Sequence, residues 1–185
     1  MPLVPVDLGA KEQFSEAYTK INPRRVVPTL VLDDCTVIGE VPAIQRYLEE
    51  TYPEPPLLGA TPKTRAQVAM WDRRVEMEGF ASVMEAVRNA VPRLQGRAIA
   101  GPHDYEQIPA LVERSRQRVA NFYADFNARL AEVRFLAGED FSIADITAVV
   151  TVDFATKAID LPIGNESAAL KRWYDSVSAR ASMAA

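Results

Sequence analysis

A chain of 185 residues with 48% hydrophobic and 25% charged side chains has room for one domain or two small ones, and enough apolar surface for a packed core. A net charge of −4 argues against a nucleic-acid footprint, and a single cysteine excludes an internal disulfide and fits a reducing compartment. No signal-peptide pattern is visible, and the longest apolar stretch, Ile143 to Ala155, is broken by Asp145, Thr147, Thr151 and Asp153, so it is too polar to span a bilayer. The expectation is a soluble, cytoplasmic protein that engages neither nucleic acid nor membrane.

In chain order, Leu3-Val4-Pro5-Val6 is a short apolar run that predicts a strand, and Lys11 to Lys20 predicts a short helix. Val26 to Leu32 is rich in β-branched residues and reads as a strand. Asp33-Asp34 turns it into a second strand, Thr36-Val37-Ile38. From Glu40 the period changes, with Val41, Ile44, Tyr47 and Leu48 on one helical face up to Tyr52-Pro53. The segment 53–62, with four prolines and a glycine, is the linker.

Everything beyond reads as helix. A long pattern from Lys63 to Val91 places Val68, Trp71 and Val75 on one stripe and Phe80, Met84, Val87 and Val91 on another, with Gly79 between them marking a bend. A second helix runs from Ile108 to Val133. A third starts at Ser142 and is apolar nearly all round through Ile143, Ile146, Val149, Val150 and Val152, which marks the buried central helix. A fourth carries Leu170, Trp173, Tyr174 and Val177. The charge divides with this organisation: residues 1–62 hold 5 basic and 9 acidic side chains, residues 63–185 hold 16 of each. The resulting plan is an α+β module (residues 1–52), a linker (53–62) and an all-α unit (63–185).

Taken together, Asn22-Pro23, Val27-Pro28 opening a strand, Glu40 with Ile44 and Tyr47-Leu48, the proline-rich linker and the segment from Phe135 to Val150 resemble the cytosolic glutathione S-transferase family, in a bacterial or theta-like form. The resemblance covers essentially the whole chain. It implies a partial thioredoxin-like first domain followed by an all-helical bundle of four or five helices. It also implies glutathione as co-substrate, a small hydrophobic electrophile bound between the domains against the first two long helices, and a homodimer. By the same resemblance, Val27-Pro28 is cis and turns the backbone groups of Val27 toward the cysteinyl part of glutathione, an edge-strand mode of peptide capture. Glu40 accepts from the γ-glutamyl ammonium while the helix N-terminus binds the neighbouring carboxylate. Ser142 and Asp145 form an S-x-x-D capping pair with a structural role.

Two departures from the family pattern stand out. The family generally follows the acidic residue with serine or threonine, whereas this chain has Val41, which removes a hydroxyl donor worth about 1.5–3 kcal/mol to a charged ligand. Pro42 removes another N–H, and Val26 stands where some classes place a polar contact. The family also opens with a strand and helix carrying the tyrosine, serine or cysteine that activates the thiol. Here Leu3 to Asp7 aligns with the second strand, so the catalytic residue is unassigned. A misassigned start, a degenerate non-catalytic relative, and chemistry supplied from elsewhere stay open as accounts of this. Cys35 reads as an incidental turn substitution and His103 as a loop residue without the companions a metal needs; no metal site is expected. Tyr18, Tyr47 and Tyr105 are not assigned as thiol activators. The alternatives to a conjugating enzyme are a non-catalytic interaction module and another glutathione-dependent isomerase or dehalogenase.

Overall fold

A computed structural model describes residues 2–183. Its N-terminal module contains a 3₁₀ turn at Glu12–Phe14, a helix α1 (Glu16–Ile21), an antiparallel pair of strands β1 (Leu30–Val31) and β2 (Val37–Ile38), and a helix α2 (Val41–Thr51). The register pairs Leu30 with Ile38 and Val31 with Val37. Ser15 starts α1 by accepting a hydrogen bond from the Tyr18 N–H.

The predicted strand at Leu3–Val6 does not form. Among the described residues nothing pairs with it, and without a ladder partner its backbone has no reason to stay in a sheet; Leu3 and Val4 are 91% and 82% exposed. The predicted strand at 26–32 shrinks to Leu30–Val31 because its first half is diverted. Arg25 takes a left-handed conformation at φ 57°, Val27-Pro28 is cis, and the Val26 carbonyl is held by side chains instead of a strand.

The turn between the strands is longer than a two-residue hairpin. The Cys35 N–H bonds the Leu32 carbonyl at 2.9 Å, the Leu32 N–H bonds the Thr36 carbonyl at 2.9 Å, and Cys35 sits at φ 68°. That is the left-handed position of a three-residue loop, where glycine is at ease. Cys35→Gly is therefore expected to stabilise the protein by about 1 kcal/mol, read as a higher urea midpoint with an unchanged slope.

The helical unit contains α3 (Pro62–Arg74), α4 (Ala81–Ala90), α5 (Ala110–Glu132), α6 (Ile143–Ile159) and α7 (Ala168–Ser178). Thr61 caps α3 reciprocally with Thr64. The predicted bend at Gly79 is a π-helical turn, Val75–Phe80, that carries α3 into α4 without a break. The turn re-aims the side chains: Val75, Val83 and Ala86 enter the core, while Phe80 and Met84, expected on a packing stripe, border a cavity. A Cβ on Gly79 would lie 2.9 Å from the Phe122 ring and 3.0 Å from Thr151 Cγ2. Phe122 is itself buried and packed against Phe126 at 4.3 Å between ring centroids, so it yields only at a cost. Gly79→Ala should thus cost about 1–3 kcal/mol of stability despite alanine's better helix propensity, measured by chemical denaturation.

Helix α6 is the central helix, burying Ile143, Ala144, Asp145, Ala148, Val149, Thr151 and Val152. Val150, expected inside, is 48% exposed. Around it pack Phe122, Phe126 and Leu130 of α5 and Leu170, Trp173 and Val177 of α7. The linker is fixed to both units. Glu49 of α2 accepts from the N–H groups of Leu57 and Leu58 at 3.1 and 2.8 Å, and the Leu57 carbonyl accepts from the Ile143 N–H at 3.1 Å. Among the described residues no helix is long and apolar enough to cross a membrane, and no group of three or more histidine, cysteine, aspartate or glutamate side chains is placed to hold a metal.

Candidate functional site

The residues the sequence singled out around Val27 and Glu40 lie on two neighbouring segments, the loop leading into β1 and the start of α2. The loop is braced from below. The Tyr18 hydroxyl donates to the Val26 carbonyl at 2.6 Å, the buried Asn22 Nδ2 donates to the same carbonyl at 3.0 Å, and Thr29 Oγ1 joins both donors at 2.9 Å. Asn22 Oδ1 also accepts from the Arg24 N–H at 3.0 Å, closing the turn that Pro23 begins. Sequence reasoning placed Asn22 in the signature without a role and set Tyr18 aside; both position the loop. Their only advance signal was a polar pair, four residues apart, ahead of an X-Pro strand entry.

This bracing leaves Val27 with a cis bond to Pro28, 39% exposed, and among the described residues neither its N–H nor its carbonyl is hydrogen-bonded. A free donor and a free acceptor on one residue form the edge that an extended peptide can join.

Glu40 stands at the N-cap of α2 at φ 63°, ψ 122°, outside the regions where a non-glycine residue rests comfortably. Its carbonyl starts the helix by accepting from the Ala43 and Ile44 N–H groups at 3.0 and 3.1 Å. Its side chain does not cap the helix; it points outward and meets Arg24 Nε at 3.5 Å, with both side chains about two-thirds exposed. An ion pair this open is screened and contributes little, so Glu40 is available to another cation. Val41 is 44% exposed, its N–H unengaged among the described residues, and Pro42 follows without one. The helix N-terminus thus offers an unpaired donor and a positive dipole end beside a carboxylate held only by an open ion pair. This matches the two charges of an α-amino acid group.

Ser142 and Asp145 serve the helical unit instead. Asp145, fully buried, accepts from the Ser142 N–H and hydroxyl at 3.0 and 3.1 Å, from the Leu136 N–H at 3.0 Å and from Trp173 Nε1 at 2.9 Å. Burial pushes its carboxyl pKa upward and the four donors oppose this. The carboxylate ties α6 to α7 and to the loop after α5. Cys35 is exposed on the hairpin, His103 is exposed in the loop before α5, and Tyr47 is half-buried on α2. None of them lies in the Val27–Glu40 arrangement.

A cavity of about 510 Å³ lies higher up, bordered by Phe80 and Met84 of the π turn and α4, by Ala98 and Ile99 of the following loop, and by Ile108 and Leu111 at the start of α5. Its walls come from residues 76–111, so it belongs to the first two long helices and their connection rather than to the junction of the two units.

Comparison with known proteins gives one consistent result. The family model described as the glutathione S-transferase N-terminal domain matches residues 2–56, and that of the C-terminal domain matches residues 109–176. Glutathione S-transferase 2 of Saccharomyces cerevisiae is 30% identical over 181 residues, covering 97% of this chain and 75% of that protein. The crystal structure of Gtt2 from the same organism superposes with a TM-score of 0.88 at 29% identity, over 99% of this chain and 85% of that one. Maleylacetoacetate isomerase of Rattus norvegicus is 46% identical over 70 residues, 37% of this chain and 32% of that protein.

Proposed function

Since this chain belongs to the glutathione S-transferase family, we propose that it binds glutathione along Val27 and at the N-terminus of α2 and transfers its thiol to a small hydrophobic electrophile. The observation that carries this reading is a loop whose Val27 has both its backbone donor and acceptor free among the described residues, linked through Arg24 to a helix N-terminus whose carboxylate points outward. In it, the Val27 N–H and carbonyl pair with the cysteinyl backbone. Glu40 accepts from the γ-glutamyl ammonium, displacing Arg24, and the Val41 N–H donates to the neighbouring carboxylate. The left-handed twist at Glu40 is the cost of turning its side chain outward at that point. The electrophile occupies the cavity beside Phe80 and Met84. The thiol-activating group stays unassigned.

Conjugation of an activated aryl halide, followed by absorbance with and without glutathione, tests the reading: product formation that requires the chain and saturates with glutathione supports it, and a rate equal to the uncatalysed one contradicts it. Val41→Ser restores a hydroxyl at the carboxylate and should tighten glutathione binding about tenfold or more, as a charged hydrogen bond of roughly 1.5–3 kcal/mol demands. Titration calorimetry checks this. The 46% identity to maleylacetoacetate isomerase over 70 residues supports a second reading, a glutathione-dependent isomerisation at the same site. A homodimer with the N-terminal module of one protomer against the partner's helices, and a cytoplasmic location in keeping with the single cysteine, complete the proposal; sedimentation velocity tests the former.

A further inference from the structure

We infer that the cavity beside α4 and α5 takes an apolar second substrate bearing a carboxylate, which Arg88 anchors at the cavity wall, with Arg97, whose carbonyl Arg88 holds, adding positive charge beside it. This rests on the reading above only in assigning the cavity to the second substrate. The cavity has the size of a small-molecule site, and its apolar walls are preformed. The 96–105 loop closes on itself through Ala98 N–H to Tyr105 O at 3.0 Å and Tyr105 N–H to Gly96 O at 2.8 Å, and Gln107 Nε2 ties it to the Arg88 carbonyl at 2.7 Å.

Arg88 is half-buried in this wall. Of its five N–H donors, one meets the Arg97 carbonyl at 2.8 Å and one meets Met84 Sδ at 3.2 Å. Among the described residues no carboxylate lies within ion-pair distance of Arg88, Arg97 or Arg25. The Arg97 guanidinium lies 4.1 Å over the Phe14 ring and that of Arg25 5.8 Å from the same ring, and both have a buried Nε with no acceptor. Burial, and next the charge of Arg97, push the Arg88 pKa downward. Converging like charges of this kind are relieved by an anion.

The carboxylates that border the cavity do not supply it. Glu85 is held by Arg114 at 3.3 Å, by Arg118 at 3.7 Å and by the Ser115 hydroxyl, and Glu76 by Arg73 at 2.7 Å. Glu106 lies exposed on the loop.

The test titrates the full chain, without glutathione, with 4-phenylbutyrate and with its uncharged amide in low-salt buffer. The acid should bind about tenfold or more tighter than the amide, as a charge-assisted bidentate contact requires. Arg88→Gln should bring the ratio close to one, Arg88→Lys should keep part of it, and Arg97→Gln should lower it less. Equal binding of the two probes to the wild-type chain overturns the proposal, whether or not any variant folds, as does a ratio that survives Arg88→Gln in a folded variant. Glutathione and its glycyl ethyl ester form a control pair: if Arg88→Gln erases discrimination there and not between the phenylbutyrate probes, the arginine serves glutathione itself and the proposal fails. Discrimination between the phenylbutyrate probes in a chain that does not bind glutathione would uphold the carboxylate site and sink the glutathione reading instead.

Discussion

Asp145→Ala is expected to lower folding stability by about 3–5 kcal/mol, the range for removing one side of a buried charged network. The carboxylate has no exposed surface and receives four hydrogen bonds, three of them from groups that can only donate: the N–H groups of Leu136 and Ser142, and the indole of Trp173. Alanine leaves the Leu136 and Trp173 donors buried without acceptors, at about 1–3 kcal/mol each, and frees the first turn of α6 from Ser142. Against a total of roughly 5–15 kcal/mol for an ordinary domain, this is a large fraction. Asp145→Asn keeps the volume but turns an NH₂ toward those donors, so it should recover only part of the loss. Urea denaturation of the three proteins measures the differences; a loss under about 1 kcal/mol in the alanine variant would show that the network is dispensable.

The second large effect concerns binding. Glu40→Ala should weaken glutathione by roughly ten- to a hundredfold, the equivalent of the 1.5–3 kcal/mol of a hydrogen bond between charged groups. Two cations compete for this carboxylate. In the free protein Glu40 is spent only on an open, screened contact with Arg24, so little is lost by exchanging that partner for an ammonium group. Arg24→Ala should therefore leave the affinity unchanged or raise it, whereas Glu40→Gln, which keeps shape but not charge, should behave like the alanine variant. Calorimetric titration at one fixed salt concentration separates these outcomes. Unaltered binding in Glu40→Ala would remove the carboxylate from the site.

What could be read from the sequence was what is local. The capping pair at Ser142 and Asp145 lies three residues apart at the mouth of an apolar run, so its geometry follows from helical spacing alone. That Asp145 also serves Leu136 and Trp173, the latter 28 positions on, depends on how α6 and α7 pack and has no local trace. The central helix was legible for a similar reason, since Ile143, Ile146, Val149, Val150 and Val152 make it apolar nearly all round, yet nothing in that pattern distinguished Val150 as the position facing outward.

Strand length was over-read at Val26 to Leu32 because β-branched composition reports a preference, and Tyr18 and Asn22, reaching back from α1, captured the carbonyl that a ladder would have used. Gly79 was recognised as a break in the stripes, but the π turn that absorbs it keeps the helix continuous and redirects Phe80 and Met84. The left-handed backbone at Glu40 and Cys35 could not be foreseen from side chains that disfavour it; at Cys35 the position in the turn was the available clue. The proposed binding half of the site, Val27 and Glu40, was approached through family resemblance; its free Val27 backbone groups and outward Glu40 carboxylate depend on how the loop is braced and have no local sequence trace.

Whether glutathione lies along Val27 and ends on the N-terminus of α2 decides the proposed function. Backbone amide resonances of the ¹⁵N-labelled chain, followed during titration with glutathione, answer this without any substitution. The Val27 and Val41 amides are expected to shift furthest and together, with a single saturation curve, because both N–H groups pass from free to hydrogen-bonded. Saturating glutathione that leaves both amides in place, or that moves only the resonances of α4 and α5, would rule this placement out.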